Sequence, residues 1–392
     1  MSSADPVSVA GAFEHPTREA PDKSTEQLHA EVARGALRDA GVSPGAVDGY
    51  LTAGVPEHVE GLPSLPPLIM ADYLGLDVSF ADSTDFGGSA YVSHVGHAAS
   101  AIRDGKCDVA LITLAGRPRS ADAATGTGIG SLVAVQDSFE RVYGSTTVSQ
   151  YAMAARRHMA EYGTTAEQLA AIRVAASRHA QYNEHALYGD PVTVDDVLES
   201  PTVADPLHLL DCCVVTDGGG ALVVVSDEVA STIDRDCVEV LGHGEAVGHH
   251  DAGRIDLTAT AARDSGCRAY DEAGVTPDDV DYASVYDSFT ITVLETLEDL
   301  GFCEKGEGGK FVEGGTLEAP DGELPFNTDG GGLCSNHPNR GGMTKVIEAV
   351  RQLRGEANPQ VQVDADVALA HGTGGSLATR HGAVTLVLGA PS

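Results

Sequence analysis

The chain has 392 residues, of which 42% are hydrophobic and 21% charged, proportions typical of a folded protein with two or three domains. Aspartate and glutamate outnumber lysine and arginine by 58 to 24, and the net charge of −34 excludes nucleic acid and anionic lipid as partners. The sequence has no apolar run of about 18 residues and no N-terminal signal-peptide pattern, so we expect a cytoplasmic protein without membrane contact.

The acidic composition also indicates the salt concentration in which the protein works. Only five lysines occur in the chain, so positive charge is scarce everywhere. High salt screens the repulsion between surface carboxylates, which makes such a composition tolerable in a salt-rich cytoplasm. We therefore expect a halophilic protein.

Four apolar runs predict buried strands, at residues 7–10, 109–114, 221–225 and 384–388. Helical segments alternate with these runs, and this alternation is typical of an α/β protein whose sheet is covered on both faces. The fold class predicted from the pattern is therefore α/β.

An internal repeat relates the two halves of the chain. Residues 36–48 (ALRDAGVSPGAVD) align with residues 269–281 (AYDEAGVTPDDVD), and in both copies a helix ends at Ala-Gly before a turn and a strand. A second pair follows, because residues 108–111 and 366–369 both read DVAL. The sequence therefore predicts a duplicated unit, with an N-terminal half at 1–229 and a C-terminal half at 230–392.

A mainly helical insertion interrupts the first half. Residues 151–162 have helical patterning, and a capping box formed by Thr165 and Gln168 predicts the start of the next helix. We place the inserted loop domain at about 118–205.

Three blocks of the sequence resemble the thiolase superfamily. Residues 83–91 (STDFGGSAY) are similar to the nucleophile segment at a helix N-terminus, residues 327–342 (NTDGGGLCSNHPNRGG) to the glycine-rich loop that carries a histidine, and residues 370–375 (AHGTGG) to the C-terminal catalytic loop. The resemblance implies the thiolase fold, in which two βαβαβαββ halves pack as a layered α-β-α-β-α core with an inserted helical loop domain.

Two further segments, DPLHLLDCC at 205–213 and VYDSF at 285–289, resemble the branch that contains sterol-carrier-protein-type and archaeal thiolases. Together with the acidic composition, this makes the chain similar to the catalytic subunit of haloarchaeal two-subunit β-ketothiolases. The resemblance implies a homodimer core and a small accessory subunit that joins a zinc ribbon to an OB-fold. It also implies coenzyme A thioesters as substrates, with no bound cofactor.

The family's two catalytic cysteines are missing from the aligned positions. Either Gly88 or Ser89 stands at the nucleophile position, and a serine there would need a base because its hydroxyl is unreactive at its free pKa. His371, or Gly372 after a one-residue slip, replaces the second cysteine. The resemblance implies Ser89 as nucleophile, His337 as its activating base and His371 as the base for the α-proton. The auxiliary or oxyanion-hole residues that we predict are Tyr286, Asn336 and Gly374.

These residues imply a β-ketothiolase, an acetyl-CoA C-acyltransferase that condenses or thiolyses acyl thioesters through an acyl-enzyme on Ser89. Two alternatives remain open. One is a retro-aldolase that cleaves a β-hydroxyacyl-CoA without an acyl-enzyme, in which Tyr286 is central. The other is a non-catalytic subunit that binds acyl-CoA for a partner enzyme.

The remaining cysteines and histidines point to no metal site. Seven cysteines without a CxxC pair argue against zinc and disulfides, and the cluster His249-His250-Asp251 lacks a metal-binding spacing. Cys334 is expected to be an inert buried thiol. The sequence assigns no residue to the phosphates of coenzyme A; the arginines considered by neighbourhood are Arg156, Arg157, Arg178 and Arg340.

Overall fold

A computed structural model describes residues 5–53, 66–121, 143–248, 256–375 and 381–391. Its strands are β1 (Val7–Glu14), β2 (Gly49–Leu51), β3 (Phe80–Asp82), β4 (Val109–Gly116), β5 (Thr202–Ala204), β6 (Leu207–His208), β7 (Gly218–Ser226), β8 (Val238–Gly248), β9 (Tyr282–Val285), β10 (Val367–Gly375) and β11 (His381–Gly389). The four apolar runs of the sequence lie in β1, β4, β7 and β11, which confirms the strand predictions.

The helices of the described part are α1 (Thr25–Ala40), α2 (Pro66–Leu74), α3 (Ala90–Arg103), α4 (Thr147–Tyr162), α5 (Ala166–Ala180), α6 (Val194–Glu199), α7 (Asp227–Ala230), α8 (Ala262–Ala273), α9 (Thr290–Asp299), α10 (Gly308–Phe311), α11 (Gly331–Cys334) and α12 (Gly342–Leu353). None of the helices in these ranges is long and apolar enough to cross a membrane. The predicted capping box is present at the start of α5, where Thr165 and Gln168 exchange hydrogen bonds with each other's backbone.

Within the described ranges the large sheet has nine strands, in the order β3-β2-β4-β7-β1-β8-β11-β10-β9. The first five positions come from the N-terminal half and the last four from the C-terminal half. The halves meet where β1 pairs antiparallel with β8, through Ser8 opposite Glu239 and Val9 opposite Val238. The two half-sheets are therefore hydrogen-bonded to each other at this junction.

Helices α3 and α12 lie between the two half-sheets, because each packs against strands of both halves. Their buried faces form one core with residues of β1, β4, β8 and β10, while α1 covers the outer face of the first half and α8 that of the second. This arrangement is the layered α-β-α-β-α core that the resemblance implied.

The internal repeat is confirmed in three dimensions. Helices α1 and α8 both end at a left-handed glycine, Gly41 and Gly274, with φ of 68° and 72°. After each turn an aspartate caps the neighbouring strand: Asp48 accepts the N–H groups of residues 108 and 109, and Asp281 accepts those of residues 366 and 367. The two DVAL segments are thus held by equivalent carboxylates, as expected for a duplicated unit.

Helices α4, α5 and α6 lie within the predicted insertion, although residues 122–142 and the His249-His250-Asp251 cluster fall outside the described residues. Helices α4 and α5 pack against α9, α4 also contacts the loop that follows β9 through Tyr151 and Phe289, and α6 packs against α5. The insertion therefore covers the carboxyl end of β9, where the candidate site is built.

Candidate active site

A cavity of about 530 Å³ opens at the carboxyl ends of β9 and β10, beside the N-terminus of α3. Both halves and the helical insertion contribute to its wall. The lining residues are Gly88, Thr147, Val148, Tyr151, Val203, Leu209, Cys212, Cys213, Val215, Tyr286, Ser288, Phe289, His337, Asn339, Thr373 and Gly375. Apart from the imidazole of His337 and the phenol and thiol groups, these side chains carry no ionisable group, so the described part of the wall is uncharged at neutral pH.

Tyr286 and His337 form the polar centre of this cavity. Tyr286 directly follows β9, and its backbone N–H donates to the carbonyl of His371 at 3.0 Å. His337 lies on the glycine-rich loop after α11, and its backbone N–H donates to Thr216 Oγ1 at 2.9 Å. The two side chains meet with 2.8 Å between Tyr286 Oη and His337 Nε2. The structure therefore brings together two of the residues that the sequence singled out.

Burial sets the protonation state of this pair. It raises the pKa of Tyr286 well above 10, so the phenol keeps its proton at neutral pH. It lowers the pKa of His337 to about 4, so the imidazole is neutral. The phenol therefore donates its hydrogen bond to the imidazole, and the pair can move a proton from a bound hydroxyl through Tyr286 Oη to His337 Nε2.

Gly88, and not Ser89, faces the cavity. A Cβ placed on Gly88 would lie 2.5 Å from Tyr286 Oη, and closer still to Tyr286 Cζ and the carbonyl oxygen of Thr373. The tyrosine hydroxyl thus occupies the space into which a side chain at position 88 would project. The described residues place no nucleophilic side chain at this point of the wall.

Ser89 is fully buried behind the wall. Its Oγ donates to the carbonyl of Phe86 at 2.9 Å, and the neighbouring strand is so near that a Cβ on Gly374 would lie 2.9 Å from this Oγ. Ser89 does not cap α3 through its side chain either. The geometry therefore does not bring Ser89 together with His337, and its nucleophilic role stays a prediction that this arrangement does not favour.

His371 is buried within β10 and does not line the cavity. Its Nδ1 lies 3.0 Å from Thr385 Oγ1 on β11, and burial together with nearby His381 lowers the pKa of His371 to about 3. Such an imidazole is neutral at physiological pH, and among the described residues it makes no hydrogen bond to the side chain of Tyr286 or His337. Its role as α-proton base also stays a prediction.

The predicted auxiliary residues have different surroundings. Asn336 is buried and uses its carboxamide structurally: Oδ1 accepts from Thr216 and Nδ2 donates to Glu14, both at 2.7 Å. Gly374 faces Phe86 and Ser89, whereas its neighbours Thr373 and Gly375 line the cavity. Of the auxiliary set, Tyr286 alone lines the cavity.

Sequence reasoning missed Asn339, which lies on the cavity wall two residues after His337. Asn339 and Arg340 both have left-handed backbones, with φ of 60° and 42°, and such strain in residues other than glycine is concentrated at functional sites. The missed signal was the Asn-Arg-Gly-Gly run that follows His337-Pro.

The four arginines considered for phosphate binding are all engaged by carboxylates. Arg340 makes a two-point contact with Asp85, with Nε and Nη2 at 3.0 and 2.6 Å. The other three ion pairs are Arg156–Asp205, Arg157–Glu161 and Arg178–Glu318. The thiols of Cys213 and Cys334 have pKa values raised by burial, and in the described ranges no group of three or more histidine, cysteine or acidic residues has a geometry suited to a metal ion.

Comparison with known proteins agrees with the resemblance seen in the sequence. Family models for the thiolase N-terminal domain and for a thiolase C-terminal domain-like region match residues 10–228 and 244–390. An acetyl-CoA acetyltransferase of Methanothermobacter thermautotrophicus is 35% identical, over 94% of this chain and 96% of that protein. A 17-hydroxy-3-oxo-4-pregnene-20-carboxyl-CoA lyase of Mycobacterium tuberculosis is also 35% identical, over 90% and 92%.

A solved structure, the Ltp2-ChsH2(DUF35) aldolase, superimposes with a TM-score of 0.84 at 32% identity and covers 98% of both chains. The similar proteins thus include an acetyltransferase, a lyase and an aldolase.

Proposed function

Because the chain belongs to the thiolase family, we propose that it acts on acyl thioesters of coenzyme A and cleaves a β-hydroxyacyl thioester by a retro-aldol reaction. The observation that carries this proposal is Gly88: of the two candidate nucleophile positions it is the one that faces the cavity, it has no side chain, and the hydroxyl of Tyr286, paired with His337, occupies the space in front of it. The similarity to a lyase and to an aldolase supports the same reaction class.

The reaction needs a proton acceptor for the β-hydroxyl and no covalent intermediate. The β-hydroxyl passes its proton to Tyr286 Oη while the phenol proton moves to His337 Nε2. The Cα–Cβ bond then breaks, the β-carbon becomes a ketone or aldehyde, and the bonding electrons form the enolate of the shorter thioester. Tyr286 Oη then gives a proton to the α-carbon of the enolate while the imidazolium, with a pKa of about 4, returns its proton to the phenol oxygen, which completes the product and restores both groups.

The uncharged wall of the cavity favours an apolar β-substituent. Tyr151 and Phe289 lie with ring centroids 4.4 Å apart at one side, and Val148 continues the same surface. A carboxylate on the departing group would lose its hydration here without gaining a cationic partner from the lining residues, which costs several kcal/mol. The departing carbonyl compound is therefore apolar.

A second candidate is the β-ketothiolase reaction, Claisen condensation or thiolysis with Ser89 as nucleophile and His337 and His371 as bases. The similarity to an acetyl-CoA acetyltransferase over 94% of this chain favours it. It requires Ser89 Oγ to leave the Phe86 carbonyl and enter the cavity beside Tyr286. A third candidate, a non-catalytic acyl-CoA-binding subunit, predicts that His337→Ala changes no rate.

One pair of variants separates these candidates. With 3-hydroxy-3-phenylbutanoyl-CoA as probe, retro-aldol cleavage releases acetophenone and acetyl-CoA. We expect Tyr286→Phe to lower kcat/KM by roughly 10²–10⁴-fold, as is usual for the loss of a general acid–base group. Ser89→Ala should leave kcat/KM within about threefold, because the hydrogen bond that this hydroxyl makes to a described residue is the one to the Phe86 carbonyl, outside the proton-transfer pair. Acetoacetyl-CoA thiolysis that disappears in Ser89→Ala would instead establish the acyl-transfer reaction.

We also propose that two copies of the chain form a core that binds a small subunit with a zinc ribbon and an OB-fold. The support is the similarity to a structure in which a homologous chain is paired with a DUF35 protein. Light scattering of the purified chain, alone and with such a subunit in molar KCl, tests this assembly. A chain that stays monomeric and binds no subunit would contradict it.

A further inference from the structure

A buried ion pair lies directly behind the Tyr286–His337 pair. Asp287, the residue after Tyr286, is 1% exposed, and its Oδ1 lies 2.7 Å from Nζ of Lys345, which is 2% exposed on α12. The same carboxylate accepts the backbone N–H groups of Gly332 and Leu333 at 2.9 and 3.0 Å. Asp287 thus joins the end of β9 to the start of α11 and to α12.

The residue on the other side of Tyr286 is held in the same way. Asn327 Oδ1 accepts the N–H of Val285 at 2.8 Å, and Asn327 Nδ2 donates to the carbonyl of Val285 at 2.9 Å. Asn327 begins the loop that carries His337, and its left-handed φ of 41° is tolerated because these two bonds fix it. Tyr286 is therefore flanked by two residues that are both bonded to the loop of its catalytic partner.

We propose that the Asp287–Lys345 ion pair positions Tyr286 against His337 and keeps the charge next to the imidazole balanced. The inference rests on the proposed function, since it assigns Asp287 and Lys345 as positioning residues for that proton transfer. It does not require either residue to touch the substrate.

The geometry also explains the two glycines at the start of α11. A Cβ on Gly332 would lie 3.0 Å from Asp287 Oδ1, and one on Gly331 would approach Oδ2 more closely still. Glycine lets the backbone come close enough to donate both N–H groups to one carboxylate. The glycine-rich loop is thus shaped by the carboxylate of Asp287.

The charged and titratable groups around the imidazole come from three elements. Asp287 raises the pKa of His337, Lys345 lowers it, and Tyr286 donates a hydrogen bond to the imidazole. Cys213, whose backbone N–H donates to the carbonyl of Ser288, is a neutral thiol because burial raises its pKa. The two charges of the ion pair therefore act on His337 in opposite directions. Removing one of them should move the titration of His337 in a direction that depends on which charge remains.

Two substitutions make this inference testable. Lys345→Met leaves the anion of Asp287 beside the imidazole, so the pKa of His337 should rise by about one unit or more. Asp287→Asn removes the carboxylate nearest to the imidazole and leaves Lys345 with the more distant Asp329 and Glu348, so the pKa of His337 should fall. The double variant removes both charges, so we expect a pKa near that of the unsubstituted protein but a turnover about tenfold or more lower, because Asn retains a single carbonyl acceptor for the loop.

The measurements are NMR titration of the labelled His337 imidazole and the acid limb of kcat/KM for each variant. Asp39→Asn is the matched control, because Asp39 pairs with buried Arg354 away from the cavity and should move neither midpoint. A midpoint in Lys345→Met that coincides with the unsubstituted protein, or shifts downward, overturns the inference. If the unsubstituted protein cleaves no β-hydroxyacyl thioester, the proposed function fails, whereas the NMR titration still decides the role of the ion pair.

Discussion

Substitution of Gly88 by alanine tests the geometry of the candidate site most directly. The added Cβ would lie 2.5 Å from Tyr286 Oη, whereas carbon and oxygen atoms in ordinary contact are about 3.5 Å apart. The phenol must therefore move by about 1 Å, since the other obstacle is the backbone carbonyl of Thr373 within the β10–β11 ladder. A shift of that size lengthens the 2.8 Å contact with His337 beyond hydrogen-bonding range.

The expected effect of Gly88→Ala is a loss of at least about 10²-fold in kcat/KM, because a displacement of 1 Å at a reacting group commonly costs that much. Overpacking should also lower the free energy of unfolding by roughly 1–3 kcal/mol. Steady-state cleavage of 3-hydroxy-3-phenylbutanoyl-CoA and a thermal melt measure the two quantities.

Gly189→Ala is the control for the Gly88 substitution, since Gly189 is exposed, has no left-handed φ, and offers open space around an added Cβ. It should change neither quantity. If the kcat/KM of Gly88→Ala stays within twofold of that of the unsubstituted protein, the position assigned to the Tyr286 hydroxyl, between Gly88 and His337, is refuted. We expect Gly88→Cys to be similarly inactive in thiolysis, because the clash begins at the β-carbon.

Three further predictions follow from charge and burial. Because His337 must be neutral to accept a proton, kcat/KM should stay level from neutral pH down to about 5 and fall through about 4; a midpoint near 6.5 would contradict the burial of the imidazole. Burial also lowers the pKa of five core histidines to about 3 or 4, namely His29, His94, His179, His371 and His381. Below pH 6.5 these histidines bind protons in the unfolded chain but not in the folded chain. Each histidine should therefore lower the free energy of unfolding by about 2 kcal/mol at pH 5, and the urea concentration at the unfolding midpoint should fall with pH. Finally, the net charge of −34 predicts a Tm that rises between 0.1 and 2 M KCl, and a Tm independent of salt would count against the halophilic interpretation.

The sequence was sufficient for most of the architecture, because the evidence for it is local. Each Ala-Gly pair predicts the end of its own helix, and each Val-Asp pair predicts the turn that follows. The structure confirms the two helix ends at Gly41 and Gly274. The aspartates in these turns cap strands some sixty and eighty-five residues further along, yet the repeat alone placed them in equivalent positions.

The candidate site was predicted less completely, because its decisive contacts join residues that are remote in the sequence. Nothing near Gly88 reveals that Tyr286, from the other half of the chain, fills the space in front of it. Arg340 looks available for a phosphate until its contact with Asp85 is known. The pairing of Asp287 with Lys345 follows from burial, because a buried ammonium requires a partner of opposite charge. The sequence shows that lysine is rare but does not show which lysine is buried.

The junction between the two halves determines what happens when the chain is split into two fragments. Gly88 belongs to the first half, whereas Tyr286, His337 and Thr373 belong to the second. Among the described strands, the short β1–β8 pairing is the one that joins the two halves. Neither half alone holds both walls of the cavity. If the chain is cut between the exposed residues Ser231 and Thr232, the rate of substrate cleavage should depend on the concentration of both fragments and should therefore measure their reassociation.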